Sequence, residues 1–309
     1  VTGADRQRSV ERVPRRRVDG VLLLDKPSGI TSHKAVQAVR GLYRAAKAGH
    51  TGTLDPLATG LLPVCLGEAT KFSHALLEAE KAYTATIRLG VTTDTGDLEG
   101  AVTGRREVRV EPRQVEAAVR KFTGEILQIP PMYSAIKHEG QPLYKLARAG
   151  RELPRAPRRI VISRLEVVGL DGNEVTVFVS CSKGTYVRVL AEDIGNELGC
   201  GACLSALRRE AVGGLALSSG AVTLEQLEAL SPAGRDALLL PADTLVASLP
   251  RLDLDAGEAR RVNRGQAVER PEAGAEGLAR IYGPDREFLG LVEVRRPGRI
   301  VPKRLTARG

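Results

Sequence analysis

Residues 49–63 read Gly49-His50-Thr51-Gly52-Thr53-Leu54-Asp55-Pro56-Leu57-Ala58-Thr59-Gly60-Leu61-Leu62-Pro63. The first half has glycine and threonine punctuation and neither a helical nor a strand period, so it reads as a loop. Gly49 and Gly52 permit close approach of a ligand or of another backbone. The loop delivers one carboxylate, Asp55, to a turn at Pro56, and the apolar stretch that follows can enter a core. Asp followed by Pro is also a helix start, with Asp55 as cap and Pro56 in the first turn. The two readings are compatible. A carboxylate held at a helix start or by an arginine stays ionised at neutral pH, and an ionised carboxylate can act as a nucleophile.

Outward from this loop, regular elements alternate. Gly20-Val21-Leu22-Leu23-Leu24 reads as a buried strand. Ser32 is placed to cap a helix whose face is Ala35, Val36, Val39 and Tyr43. Residues 81–89 alternate, with Tyr83, Ala85, Ile87 and Leu89 on one side of a strand. Pro112 opens a helix with Val115, Val119 and Phe122 on its face, and Gly124 follows its end. Residues 175–180 form another β-branched strand. Thr185 is expected to cap a helix bearing Tyr186, Leu190, Ile194 and Leu198, which Gly199 ends. Thr223 and Gln226 form a capping box. On periodicity alone Tyr83 and Leu207 are core residues, Arg188 belongs to the surface of a first helical turn, and His50 bonds within its loop. Thr93-Asp94-Thr95-Gly96-Asp97 reads as a turn with Asx-type bonds.

The chain has 309 residues, enough for one large domain and a small one, or for two ordinary domains. A net charge of +9 favours an anionic partner, either nucleic acid or a membrane surface. No apolar run approaches the ~20 residues that span a bilayer, and the N-terminus has no secretory apolar core. A cytoplasmic protein without membrane association is therefore expected. Cys65, Cys181, Cys200 and Cys203 are too few for a disulfide framework. Cys200-x-x-Cys203 can be a zinc half-site, a redox pair or small buried residues at a glycine turn. A structural zinc site takes four ligands, and no second half lies nearby in sequence.

Two stretches differ from the rest. Residues 130–159 open with Pro130-Pro131 and close with Pro154 and Pro157. They carry Lys137, Lys145, Arg148, Arg151, Arg155, Arg158 and Arg159 against Glu139 and Glu152, with Tyr133 and Tyr144 interleaved. A short helix is expected at 143–149. Basic side chains among aromatics suit RNA, and a solvated surface excursion has the same composition. Residues 1–17 hold six arginines against Asp5 and Glu11 and read as a flexible basic arm. Proline punctuation in 231–250 puts a boundary near 249, after which short β-like runs suggest a small barrel. There is no internal repeat and no phosphate loop of the P-loop or dinucleotide type.

The 49–63 segment resembles the active-site motif of the TruB family of bacterial pseudouridine synthases. Leu24-Asp25-Lys26-Pro27-Ser28-Gly29 resembles that family's first motif, and Lys81-Ala82-Tyr83 its tyrosine strand. Ser182-Lys183-Gly184-Thr185-Tyr186-Val187-Arg188 resembles its arginine motif, and Leu207-Arg208-Arg209 its leucine motif. The resemblance covers about residues 18–305, and five motifs in order are hard to produce by chance. It implies an α/β (α+β) pseudouridine synthase fold, with a large mixed, mainly antiparallel sheet flanked by helices and a small C-terminal PUA-like β-barrel. Residues 18–248 would be the catalytic domain, 130–159 its thumb-like RNA-gripping insertion, and 249–309 the PUA-like domain.

The resemblance also implies a reaction. The N1–C1′ bond of a uridine is broken, the uracil turns, and it rejoins the ribose through C5, with no metal or other cofactor. Asp55 would be the nucleophile, Arg188 the cation that fixes it and Tyr83 the ring that holds the detached base. Leu207 would help exclude water. His50, Tyr186 and Lys26 resemble substrate-contacting positions, and Asp97 would lie near the active-site arginines with Arg148. The expected substrate is the T arm of tRNA at uridine 55, and the expected state a monomer with no obligate protein partner. Two other functions stay open: a guide-dependent synthase inside a ribonucleoprotein, and a tRNA-folding chaperone role, alone or alongside the chemistry.

Overall fold

The computed structural model describes residues 15–296 and 298–307. The expected basic arm therefore lies outside the described residues up to residue 14. Its end is not loose. The Arg16 backbone N–H donates to Arg44 O at 2.9 Å. The Arg16 guanidinium grips both Asp236 oxygens, at 2.6 and 2.5 Å. A bidentate arginine–carboxylate pair fixes the segment ahead of the expected boundary at residue 18.

Nine strands make one sheet: β1 (Gly20–Lys26), β2 (Ala48–His50), β3 (Thr59–Leu66), β4 (Lys81–Leu89), β5 (Gly124–Gln128), β6 (Arg158–Asp171), β7 (Glu174–Cys181), β8 (Ala202–Val212) and β9 (Leu215–Ala216). Their order is β1-β3-β8-β4-β7-β6-β5, with β2 beside β3 and β9 beside β8. Every pairing is antiparallel except β3 with β8. The expected mixed, mainly antiparallel sheet is present.

Sequence pattern explains the position of each strand. β3 is apolar almost throughout, and Leu61, Leu62, Val64, Cys65 and Leu66 are all fully buried, as an interior strand covered on both faces requires. β4 alternates: Ala85, Ile87 and Leu89 face the core while Arg88 faces solvent. Helices Ser32–Leu42, Pro112–Arg120 and Val187–Glu197 close over that core with Val36 and Val39, Val115 and Val119, and Leu190 and Ile194. Each such side chain contributes roughly 1.5–3 kcal/mol by leaving water. Cys200 and Cys203 are buried here as well, and among the described residues no metal-holding cluster of three or more His, Cys, Asp or Glu occurs.

Two expected caps are displaced by one residue. Thr31, not Ser32, accepts the Lys34 N–H, and the helix starts at Ser32. Tyr186, not Thr185, is the cap of Val187–Glu197; Thr185 Oγ1 instead donates to Ser182 O at 3.0 Å, closing the preceding turn. Both hydroxyls have a nearby carbonyl that competes with capping. The expected capping box at Thr223–Gln226 holds, and Pro112 opens its helix as expected, with Glu111 as the cap residue. Asp55-Pro56 starts no helix: Ala58 N–H donates to Asp55 O at 3.1 Å, a single turn.

The basic insertion forms a two-stranded ladder, Lys137–His138 with Gln141–Pro142, and the helix Leu143–Arg148. Met132, Leu143 and Leu146 give it a small core of its own. At the C-terminus, Arg251–Asp253, Gly277–Tyr282, Phe288–Arg295, Arg299–Leu305 and Val268–Glu269 follow one another across a curled sheet, so the expected barrel takes the form of a half-barrel. Val262, Ile281, Val292 and Ile300 fill it. It is fastened to the large sheet: Phe288 meets Phe72 edge-on at 5.1 Å, and Lys71 Nζ donates to Leu305 O at 2.9 Å. Among the described residues no helix is long and apolar enough to cross a membrane.

Candidate active site

The Asp55 loop is held from below by side chains of the preceding elements. Ser32, released from capping, accepts the Leu54 N–H at 2.8 Å and donates to Leu54 O at 3.0 Å. Lys26 is fully buried, and its ammonium donates to Pro27 O, Ile30 O and Pro56 O at 2.8, 2.8 and 3.3 Å. Burial pushes its pKa down to about 8. All three ammonium hydrogens face main-chain carbonyls. Lys26 is thus a strut under Asp55 and not the substrate-contacting side chain expected.

Arg188 brings four segments together. Nε donates to Asp55 Oδ2 at 2.9 Å, Nη1 to Thr95 O at 2.7 Å, and Nη2 to Tyr133 O at 2.8 Å. Asp97 Oδ2 lies 3.6 Å from Nε. The arginine and Asp97 are 5% and 6% exposed, whereas the Asp55 side chain is 39% exposed. A buried cation therefore holds a carboxylate that still opens to solvent. Asp97 is fixed in its turn by Thr95 Oγ1 at 2.6 Å and the Glu99 N–H at 3.1 Å.

The remaining expected residues divide. Tyr83 pairs across strands with Val179 and Arg209. Burial pushes its phenol upward. His50 Nδ1 accepts the Gly52 N–H at 3.1 Å, so the neutral ring carries its proton on Nε2. Burial first, then the charges of Arg209 and His33, push His50 down and keep it neutral. The Tyr186 backbone makes a reciprocal pair with Gln128, at 2.7 and 3.1 Å, and burial pushes its phenol up. Leu207 is 8% exposed, paired with Ala85. Arg148 does not join Asp97. It is exposed, with its guanidinium 5.7 Å from the Tyr144 ring centroid. Cation–ring stacking within the insertion holds it there, and Arg188 is the arginine that meets Asp97.

Motif reading gave no role at the site to three supports: Ser32, Gln128 and Arg209. Strand alternation was the available signal for the last, because Leu207 and Arg209 share a face of β8 and both are buried. Beside Arg188, a cleft of about 520 Å³ opens between body and insertion, lined by Thr95, Pro131, Tyr133, Arg151, Arg155 and Glu192 among others. Burial raises the Glu192 carboxyl.

Residues 40–187 match the N-terminal domain of the TruB family of pseudouridylate synthases. Residues 188–247 match the tRNA pseudouridylate synthase B C-terminal domain, and 250–306 the C-terminal region of pseudouridine synthase II TruB. The chain belongs to the TruB family. Tight relatives agree. The tRNA pseudouridine synthase B of Aromatoleum aromaticum is 54% identical over 96% of this chain and 95% of its own length. That of Chromobacterium violaceum is 53% identical over 97% and 98%. Among solved structures, a chain of a Cbf5-Nop10-Gar1 complex is 28% identical with a TM-score of 0.69, covering 89% of this chain and 78% of its own. A chain from an H/ACA RNP bound to a substrate RNA containing 2′-deoxyuridine is 26% identical with a TM-score of 0.71, covering 94% and 85%. This TruB family member is an isomerase with the pseudouridine synthase fold.

Proposed function

We propose that the chain converts uridine 55 in the T loop of tRNA to pseudouridine, with Asp55 as nucleophile. The observation that carries this reading is the Asp55–Arg188 pair: a half-exposed carboxylate fixed by a buried guanidinium. The arginine's other donors are engaged by Thr95 O and Tyr133 O, so its fork cannot swing away without breaking three bonds. The uridine leaves the RNA stack, because its glycosidic bond is otherwise out of reach. The N1–C1′ bond breaks, the uracil turns against Tyr83, and C5 bonds to C1′. The C5 proton leaves to solvent and N1 takes one up, so the sum is an isomerisation that needs no redox partner. Leu207 belongs to the apolar wall that keeps water from the intermediate.

The tRNA synthase B relatives and the basic insertion support a stand-alone tRNA enzyme that works without guide RNA or obligate protein partner. Tritium release from guide-free tRNA carrying 5-tritiated uridine in the T loop is the test. Asp55→Asn should abolish release while tRNA binding stays within about a few fold, since the amide keeps the shape and loses the nucleophile. Clear turnover by Asp55→Asn, or none by the parent without a guide, would refute the reading. An Asp55→Asn protein that still promotes tRNA folding would separate a chaperone role from the chemistry.

A further inference from the structure

Arg209 lies on β8, between the strand that leaves the Asp55 loop and the strand that carries Tyr83, and is 1% exposed. Parallel pairing sets it against Gly60 of β3, and antiparallel pairing against Tyr83 of β4. Gly60 accommodates this approach. Its φ is +97°, and a Cβ there would fall 2.4 Å from Arg209 O. The side chain runs back under the loop. Nε donates to Leu61 O at 2.7 Å and Nη2 to Gly52 O at 3.1 Å. Those two carbonyls bracket residues 53–60, the segment that contains Asp55. Tyr83 is its cross-strand partner on β4, and the charge of the guanidinium counters the upward push that burial gives the phenol. A buried cation is costly unless its donors are met by well-placed acceptors. Here the acceptors are the two ends of the catalytic loop.

We infer that Arg209 is a positioning residue of the isomerisation: one planar guanidinium closes the Asp55 loop at both ends and sets Tyr83 beside it. The inference rests on the reading of Asp55 as nucleophile. Arg209 is too deeply buried to touch RNA, so it acts through the two residues that do. A lysine is a point charge on a flexible stem and does not reproduce a rigid fork across two carbonyls. Methionine fills the space and leaves both carbonyls without the guanidinium.

The test compares full-length Arg209→Lys and Arg209→Met with the parent. Thermal unfolding, tRNA binding, single-turnover tritium release and hydrogen exchange of peptides covering 50–61 are measured. Binding should stay within about threefold while the single-turnover rate falls about 10- to 100-fold, as small misplacements of reacting groups do. Exchange in 50–61 should accelerate by about tenfold or more in the folded variants. A purely structural arginine would lower the melting temperature and leave the rate per folded molecule alone. Rates within about twofold of the parent in a folded variant would overturn the assignment, and so would loss of fold in both. Asp55→Asn is the control. If it turns over, the reading of Asp55 fails. If it is dead while the Arg209 variants match the parent, only the role of Arg209 fails.

Discussion

Arg188 Nε meets Asp55 Oδ2 at 2.9 Å, with the arginine buried and the aspartate half open to solvent. The pair differs from an ordinary surface ion pair, which is worth little. Its cation has no freedom, because its remaining nitrogens bond to main-chain oxygens of Thr95 and Tyr133. The geometry of Asp55 is thereby coupled to the turn at 93–97 and to the root of the basic insertion.

Replacing Arg188 by lysine should remove most activity, by about 100-fold or more, with tRNA affinity little changed. Lysine keeps the charge but cannot reach Asp55, Thr95 and Tyr133 from one plane. Single-turnover tritium release at saturating tRNA is the measurement. Near-parent turnover would mean that the fork does not orient Asp55.

Lys26 predicts a pH signature of stability. Burial brings its folded pKa from 10.5 down to about 8. Below pH 8 both states are protonated and the full cost of a buried ammonium is present. Between about 8 and 10.5 the unfolded chain binds the extra proton, so stability rises with pH across that window. At about 1.4 kcal/mol per pKa unit, the gain is up to ~3 kcal/mol. Urea unfolding of the parent and of Lys26→Met from pH 7 to 10 should show the parent gaining on the variant as pH rises. Parallel curves would count against a depressed Lys26.

Salt dependence tests the insertion. Arg155 is engaged by Glu152 and Arg159 by Glu125, whereas Arg151 and Arg158 are exposed, Arg151 on the rim of the cleft. Replacing Arg151 and Arg158 by Ala should flatten the log–log salt slope of tRNA binding by roughly one to two units, at about 0.7–0.9 per phosphate contact. Single-turnover chemistry should change little. An unchanged slope would make this face a solvated surface.

The half-barrel should be part of the folded body's stability. Phe288 packs on Phe72 and Tyr282, at 5.1 and 5.7 Å between ring centroids. Phe288→Ala should cost roughly 2–4 kcal/mol in denaturant unfolding, through a cavity between the two sheets. It should leave the Asp55–Arg188 pair intact and the rate at saturating tRNA close to the parent. A cost under about 0.5 kcal/mol would mean that the half-barrel is loosely attached.

Sequence by itself determined several of the strands and helices, because apolar period and capping chemistry are local. The apolar run of β3, the alternation of β4 and the Thr223–Gln226 box were legible in this way. It also singled out Asp55, Tyr83 and Arg188, since ordered motifs survive in the linear chain. Only the tertiary structure decided what surrounds them. Lys26 became a strut and Arg148 moved to Tyr144, because burial and reach depend on segments far apart in sequence. Ser32 gave up its expected cap for Leu54, a residue twenty-two positions away. Arg209 reads as one basic residue of two, and only the packing of β8 between β3 and β4 aims its guanidinium at Gly52 and Leu61. A side chain's period tells which face of a strand it is on; which carbonyls it bonds to is set by the chain that folds back over that face.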